Sequence, residues 1–285
     1  MLLAYSPVMY LEPLSELNWA YQLHYYICFR THRRKAALAD KLRNDLLTRE
    51  LSRICEAHDY HLLRSKAYPD HVRCLLSLRP RQDVSTAVKT IKGGLAREFC
   101  SRFSLPAPLW ARGFLARSVG RVRIDAVKNY LDHQAEHHGY ASRTIPPVFR
   151  FRVDKQVILT AAHSSFDLNH HLVIATRYRR GVFGFDTGEA LVNYWLAVAE
   201  KRGFALDRAA VLPDHVHMLV RTVPKMSIEA AAFALLNNAQ HWIGRRFPQM
   251  LFGAGLDQLW QPSAYAGSCG KVTTALVKSF LSQRE

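Results

Sequence analysis

The chain has 285 residues, a length that favours two domains of about 140 residues each. No apolar stretch reaches the roughly 18 to 20 residues of a membrane-spanning helix, and no secretory signal is recognisable, so we expect a cytoplasmic, nucleoid-associated protein without a membrane partner. The 39 Lys+Arg residues outnumber the 23 Asp+Glu residues and give a net charge of +16, which predicts a nucleic acid as the partner.

An internal repeat organises the chain. Residues 68–73 (YPDHVR) recur 144 residues later as residues 212–217 (LPDHVH). A Leu-Trp pair and a Ser-x-Gly segment each recur 150 residues later, at Leu109-Trp110 and Leu259-Trp260 and at residues 118–122 and 268–272. The repeat predicts a first domain at residues 1–140, a linker at 141–156, which contains Pro146-Pro147, and a second domain at 157–285.

The predicted elements follow the same order in both copies. Each copy begins with a strand, continues with a helix of three- and four-residue apolar spacing, and then has two short strands around a Pro-Asp turn. In the first copy these elements are predicted at residues 24–30, 36–57, 60–66 and 71–78. In the second copy they are predicted at residues 171–177, 188–201, 204–212 and 215–220.

Two further helices complete each copy. One begins at a capping residue, Asp83 or Ser227, and the last follows Gly120 or Gly270. The order βαββαβα predicts an α+β fold of two tandem ferredoxin-like or RRM-like domains. Each domain is expected to be an antiparallel sheet with helices packed on it, and the two domains are expected to form a pseudo-dimer.

A pair of histidines stands on a predicted strand of the second copy. His215 and His217 are two residues apart, so both side chains point to one face of the strand while Val216 enters the core. Two imidazoles on one face can converge on a metal ion, although paired histidines on strands are often ordinary surface residues. The pair is therefore a candidate metal site.

These motifs together resemble the HUH endonucleases, named for His-hydrophobic-His, and among them the single-tyrosine transposases of small insertion sequences and repeat-associated elements. The resemblance rests on residues 213–217 (PDHVH), on the Leu-Trp pair followed by Ser-x-Gly, and on residues 130–134 (YLDHQ). It covers almost the whole chain twice.

The resemblance implies a tyrosine that attacks a DNA phosphate and leaves a 5′-phosphotyrosine link and a free 3′-hydroxyl. It assigns Tyr130 as the nucleophile and His215, His217 and Gln134 as ligands of Mg²⁺ or Mn²⁺. Tyr130 and Gln134 are four residues apart, so they share one helix face. The neighbouring histidines are alternatives to Gln134 as the third ligand: His133, His137 and His138.

Each copy departs from the family pattern in a complementary way. The first copy has Arg73 in place of the second histidine, and the second copy has Phe280 in place of the tyrosine. Arginine repels a cation and phenylalanine has no oxygen, so His71, Arg73 and Phe280 predict an inactive pseudo-site. Family dimers exchange their tyrosine helices. An exchange within this chain would unite Tyr130 and Gln134 with the second copy's histidine pair in one composite site.

The expected partner is single-stranded or hairpin DNA, and self-association beyond the pseudo-dimer is left open. Paired arginines recur in both copies, and the first copy has lysines on its second helix. The predicted DNA-binding residues are Arg33, Arg34, Arg73, Lys89, Lys92, Arg179, Arg180, Arg245 and Arg246. The predicted function is metal-dependent nicking and rejoining of DNA by a transposase. The alternative is a catalytically silent or domesticated protein that binds hairpin DNA.

Overall fold

The computed structural model describes residues 9–105, 107–133 and 149–283. The first half contains β1 (Asn18–Gln22), β2 (His24–Arg30), α1 (Lys41–Ala57), β3 (His61–Tyr68), β4 (His71–Ser77), α2 (Val84–Phe103), β5 (Phe114–Val119) and α3 (Ile124–Asp132). The second half contains β6 (Phe149–Arg152), β7 (Ser164–Asp167), β8 (Asn169–Thr176), α4 (Phe185–Arg202), β9 (Ala205–Val211), β10 (His215–Arg221), α5 (Ile228–Arg246), α6 (Pro248–Ala254), β11 (Trp260–Cys269) and α7 (Thr274–Ser282).

The strands form two sheets with the orders β3-β4-β2-β5-β7 and β1-β11-β8-β10-β9-β6. The central pairs of both sheets are antiparallel, which confirms the predicted α+β class. None of the helices in the described ranges is both long and apolar enough to cross a membrane.

Alternation along β4 and β10 separates the two faces of each sheet. On β10, Val216, Met218 and Val220 are buried in the main core, together with Trp195 of α4 and Leu235 of α5. The side chains between them point to the opposite face, where the histidine pair lies. The equivalent long helices begin at the predicted caps: Asp83 accepts a hydrogen bond from the Thr86 amide, and Ser227 accepts one from the Ala230 amide.

The two halves exchange edge strands. β1 of the first half pairs in parallel with β11 of the second sheet, and β7 of the second half pairs in parallel with β5 of the first sheet. β6, which lies inside the predicted linker, pairs antiparallel with β9. The sheets therefore do not follow the predicted domain boundaries at these edges. The short edge strands show no regular alternation of apolar residues, so the sequence pattern does not indicate them.

The two short terminal helices are also exchanged. Val127 and Leu131 of α3, in the first half, pack against Leu212 and Leu219 of the second sheet. In turn, α7 of the second half packs on β3 and β4 of the first sheet. Each sheet thus carries its own long helices on one face and the other half's short helix on the opposite face.

The Ser-x-Gly motif joins the two halves around an approximate two-fold axis. The Ser118 hydroxyl donates to the Cys269 carbonyl at 2.6 Å, and the Ser268 hydroxyl donates to the Val119 carbonyl at 2.6 Å. A Cβ atom added to Gly120 would lie 2.1 Å from the Ser268 carbonyl oxygen. Glycine is required at this position because the two backbones approach so closely. We call these reciprocal contacts the clasp.

Two helix boundaries differ from the prediction. α1 begins at Lys41 instead of residue 36, because the Asp40 side chain caps the Leu42 amide and the preceding residues form a separate loop. α4 begins at Phe185 instead of residue 188, where the Thr187 hydroxyl bonds to the Gly184 backbone. In both cases a local side-chain hydrogen bond sets the start of the helix.

Candidate active site

The histidine pair lies on β10, on the face that α3 covers. His215 and His217 are only 3% and 8% exposed, and their ring centroids are 5.0 Å apart. Strand alternation brings both side chains to one face, as the sequence predicted. Buried imidazoles need partners for their ring nitrogens, and these partners orient the rings.

The Nδ1 atom of each ring has a partner. His215 Nδ1 lies 2.6 Å from Asp214 Oδ1, and the other carboxylate oxygen of Asp214 lies 2.9 Å from Arg179 Nε. His217 Nδ1 lies 3.1 Å from His171 Nε2. When Nδ1 of a histidine is held in this way, Nε2 is the nitrogen that can bind a metal.

His171 is a residue of this site that the sequence analysis did not identify. It lies on β8 opposite Leu219, diagonal to His217 on the same face of the sheet. Burial lowers the pKa of His171 from its ordinary 6.5 to about 4, so the ring is neutral at neutral pH. A neutral ring can accept a proton donated by His217 Nδ1. The sequence alone does not indicate this role, because it follows from the pairing of β8 with β10, which places His171 diagonal to His217.

Tyr130 of the first half faces the histidines of the second half. Its ring centroid lies 5.5 Å from that of His217 and 6.0 Å from that of His171, in edge-on contacts. The apolar residues of α3 hold the helix in place, and an ion pair between Asp132 and Arg208 of β9 adds to them. The side chain of Arg208 is 10% exposed and that of Asp132 is 38% exposed, so only the arginine end of this pair is shielded from water.

The metal ligands were predicted as His215, His217 and Gln134. Gln134, and with it His137 and His138, lies outside the described residues. The alternative ligand His133 is described, and its Nδ1 lies 2.9 Å from the Asn129 carbonyl oxygen. Within the described ranges, no group of three or more His, Cys, Asp or Glu side chains is placed to hold a metal ion. The two oriented imidazoles fit a divalent cation that takes its other ligands from elsewhere.

The equivalent site of the first half is built from different chemistry. Arg73 Cζ lies 5.3 Å from the ring centroid of Phe280, which α7 brings from the second half. His71 Nδ1 lies 2.7 Å from Asp70 Oδ1, as His215 does from Asp214. The arginine and phenylalanine therefore meet at the place where Tyr130 and His217 meet in the other half.

The predicted DNA-binding arginines lie on two similar exposed loops. Arg33, Arg34 and Arg179 have φ values of 53°, 55° and 55°, in the left-handed region that costs non-glycine residues about 1 kcal/mol or more. A buried threonine anchors each loop: the hydroxyl oxygens of Thr31 and Thr176 each lie 2.7 to 3.0 Å from two carbonyl oxygens, between which the single hydroxyl proton is shared. The loops thus hold exposed arginines beside the Pro-Asp-His turns.

The other predicted DNA-binding residues differ in their surroundings. Lys89, Arg245 and Arg246 are exposed on their helices. The Lys92 ammonium instead points into the protein and donates to the carbonyl of Ala111 at 2.6 Å, and to those of the next two residues at 3.3 Å. Lys92 therefore holds the loop before β5, and its predicted contact with DNA is not supported. A helix charge pattern alone does not show which lysine is turned inward.

Comparison with known proteins identifies the class. The family model described as IS200-like transposase matches residues 19–134 and, a second time, residues 164–284. The chain therefore belongs to the IS200-like transposase family and carries its domain twice, as the sequence predicted.

Individual relatives match about one domain. The transposase for insertion sequence element IS200 of Salmonella typhimurium is 25% identical over 120 residues, which cover 42% of this chain and 78% of that protein. The ISDra2 transposase TnpA of Deinococcus radiodurans is 24% identical over 116 residues, with coverages of 41% and 83%.

Two solved structures are also similar. A crystal structure of a protein assigned as a transposase in Deinococcus radiodurans has 26% identity and a TM-score of 0.34, and covers 40% of this chain and 92% of that one. The structure of a REP-associated tyrosine transposase bound to a REP hairpin has 15% identity and a TM-score of 0.30, with coverages of 46% and 74%.

Proposed function

We propose that this transposase nicks and rejoins single-stranded or hairpin DNA through a 5′-phosphotyrosine intermediate at one composite site. Tyr130 of the first half would be the nucleophile, and His215 and His217 of the second half would hold a divalent cation. The observation that carries the proposal is the edge-on contact, at 5.5 Å between ring centroids, of Tyr130 with His217 across the two halves. The other pairing of helix and sheet brings Arg73 to Phe280, which stands at the position of Tyr130 and has no hydroxyl.

In the proposed reaction, Tyr130 Oη forms a bond to the phosphorus of a DNA phosphodiester, and the bond from phosphorus to the 3′ oxygen breaks. The phenol loses its proton, and the departing 3′ oxygen gains one. Rejoining reverses these steps, with a 3′-hydroxyl attacking the phosphotyrosine. No ATP is needed because the ester retains the cleaved bond.

A phenol has an ordinary pKa of about 10 and is a weak nucleophile at neutral pH. When bound, Mg²⁺ or Mn²⁺ polarises the phosphate and stabilises the developing negative charge. The two imidazoles suit Mn²⁺ somewhat better, and cellular abundance favours Mg²⁺. Gln134 remains the proposed third ligand on the family resemblance, since it follows Tyr130 by four residues in the sequence.

Two side chains are proposed to position the ligands. Asp214 accepts the Nδ1 proton of His215, and its second oxygen is held by Arg179. His171, neutral because it is buried, accepts the Nδ1 proton of His217. Both ligands would then present Nε2 to the cation, which is the usual role of such partners.

The test is the formation of a covalent adduct. The full chain is incubated with labelled single strands from the DNA that flanks its gene, with Mg²⁺, Mn²⁺ or EDTA. Tyr130→Phe and His217→Ala should each abolish the adduct and leave DNA binding nearly unchanged. Tyr10→Phe is the matched control, because Tyr10 is 70% exposed in the N-terminal segment before β1 and its loss should change nothing.

The alternative is a silent protein that binds hairpin DNA. It is favoured by the replacement of a ligand and a nucleophile in the pseudo-site. If no adduct forms on any flanking strand with either metal while hairpin binding persists, the alternative is correct. An adduct that survives Tyr130→Phe would refute the assignment of the nucleophile.

A further inference from the structure

Arg73 in the pseudo-site is enclosed by two aromatic rings. Its Cζ atom lies 4.7 Å from the ring centroid of Tyr68 and 5.3 Å from that of Phe280. The two rings come from different halves of the chain. Stacking on aromatic rings uses the faces of a guanidinium, and its N–H groups point outward in the plane, where they can bind a phosphate.

The surroundings of Arg73 are rich in unsatisfied hydrogen-bonding capacity. His71 stacks on Tyr68 with ring centroids 4.3 Å apart, and Asp70 binds its Nδ1. The buried atoms His71 Nε2 and Arg73 Nε have no hydrogen-bond partner within the described residues. Buried polar atoms without partners are costly, and this cost is reduced when a ligand binds. Lys66, which pairs with Arg73 across the strands, has its Nζ atom 5.1 Å from the ring centroid of Tyr68 and adds positive charge.

An apolar groove adjoins this cluster. It has a volume of about 490 Å³ and is lined by Tyr26, Leu115, Leu276 and Phe280, with Arg117 as its charged side chain. Phe280 is 44% exposed and links the groove to Arg73. In the equivalent groove beside the histidine pair, of about 450 Å³, polar side chains such as His171 and Gln22 share the lining with apolar ones such as Val127. The two grooves have therefore become chemically different.

We infer that the pseudo-site is a metal-independent binding site for one nucleotide of single-stranded DNA. The Arg73 guanidinium binds the phosphate, and the base lies in the apolar groove against the exposed ring of Phe280. The fixed charge of arginine replaces the cation, and the strand stays intact because Phe280 has no hydroxyl to attack it. This inference rests on the proposed function in that it takes DNA as the substrate. The pseudo-site would then hold one part of the DNA strand while the composite site at Tyr130 reacts with another.

The experiment measures binding of a short fluorescent oligothymidylate in EDTA. All proteins carry Tyr130→Phe, so no adduct forms. Arg73→Ala should weaken binding about tenfold, because it removes a charge-assisted hydrogen bond. It should also lower the slope of log K against log salt by about 0.7, the value for one phosphate contact on a single strand. Phe280→Ala should weaken binding and leave the slope unchanged.

The matched control is Arg202→Ala, which removes an equal charge from the exposed end of α4, on the opposite face of the second sheet. Arg73→Lys keeps the positive charge and loses the planar guanidinium, so its affinity for the oligothymidylate should lie between those of Arg73→Ala and the parent protein. Thermal unfolding shows whether each variant is folded. The inference is wrong if Arg73→Ala binds like Arg202→Ala, if the salt slope does not change, or if binding requires a metal.

Failure of the proposed function would look different. If Arg73→Ala does not weaken binding, while the protein that keeps Tyr130 forms the adduct normally, this inference alone is overturned. If Arg73→Ala weakens binding, but the protein that keeps Tyr130 forms no adduct, the proposed cleavage chemistry is overturned and the binding role of the pseudo-site is supported.

Discussion

Leu131→Ala tests whether docking of α3 on the second sheet delivers Tyr130. Leu131 is 2% exposed and packs against Leu212 and Leu219 of the other half. Truncating a buried leucine to alanine costs about 2 to 5 kcal/mol. If the free energy of docking α3 on the second sheet becomes less favourable by about 3 kcal/mol, the equilibrium constant for docking falls roughly a hundredfold. We expect the initial rate of adduct formation on a labelled single strand to fall by up to that factor.

Leu281→Ala is the matched control. Leu281 occupies the equivalent position on α7, is 4% exposed and packs against Leu75 and Val119 of the first sheet. Its truncation should lower the thermal stability by a similar amount and leave the adduct rate per folded molecule nearly unchanged. The reasoning is refuted if both variants slow the reaction equally, or if Leu131→Ala reacts at the parent rate.

Three further predictions concern the clasp and the buried histidines. Gly120→Ala should destabilise the protein by about 1 to 3 kcal/mol in thermal unfolding, because its Cβ would lie 2.1 Å from the Ser268 carbonyl oxygen. Gly93→Ala, in open space on α2, should stabilise the protein by about 0.5 to 1 kcal/mol. If Gly120→Ala proves more stable than Gly93→Ala, the close backbone contact at the clasp is contradicted. Burial lowers the pKa of His170 from 6.5 to about 4, so the unfolded chain takes up a proton that the folded chain does not. The unfolding free energy should therefore fall between pH 6.5 and 4, by about 1.4 kcal/mol per pH unit for this group, and His170→Asn should remove that part of the slope. His171→Phe should raise the Mn²⁺ concentration needed for adduct formation about tenfold or more, and His171→Gln, which keeps an acceptor, should restore part of the loss. Equal behaviour of the two His171 variants would show that the ring only fills space.

The strand period and the repeat predicted much of the site. The spacing of His215, Val216 and His217 correctly placed both imidazoles on one face, because alternation is a local property of a strand. The 150-residue offset between Tyr130 and Phe280 likewise pointed to complementary halves. These features depend on the order of residues along one strand or helix.

Features that depend on contacts between distant strands were not predicted. Of the neighbouring His170 and His171, one enters the core beside Tyr25 and the other faces the histidine pair, and only the pairing of β8 with β10 distinguishes them. The exchange of β1 and β7 has no local signal, since each is a short strand at a sheet edge. Lys92 is similar, because its orientation depends on the loop that it binds.

The exchange of edge strands and terminal helices has a consequence for kinetics. In a homodimer that exchanges helices, dilution separates the subunits and destroys every shared pocket. Here both partners belong to one polypeptide, so the local concentration of one half around the other is set by the connecting chain, on the order of millimolar or above. Turnover per molecule should therefore be independent of protein concentration down to the lowest dilution at which DNA still binds.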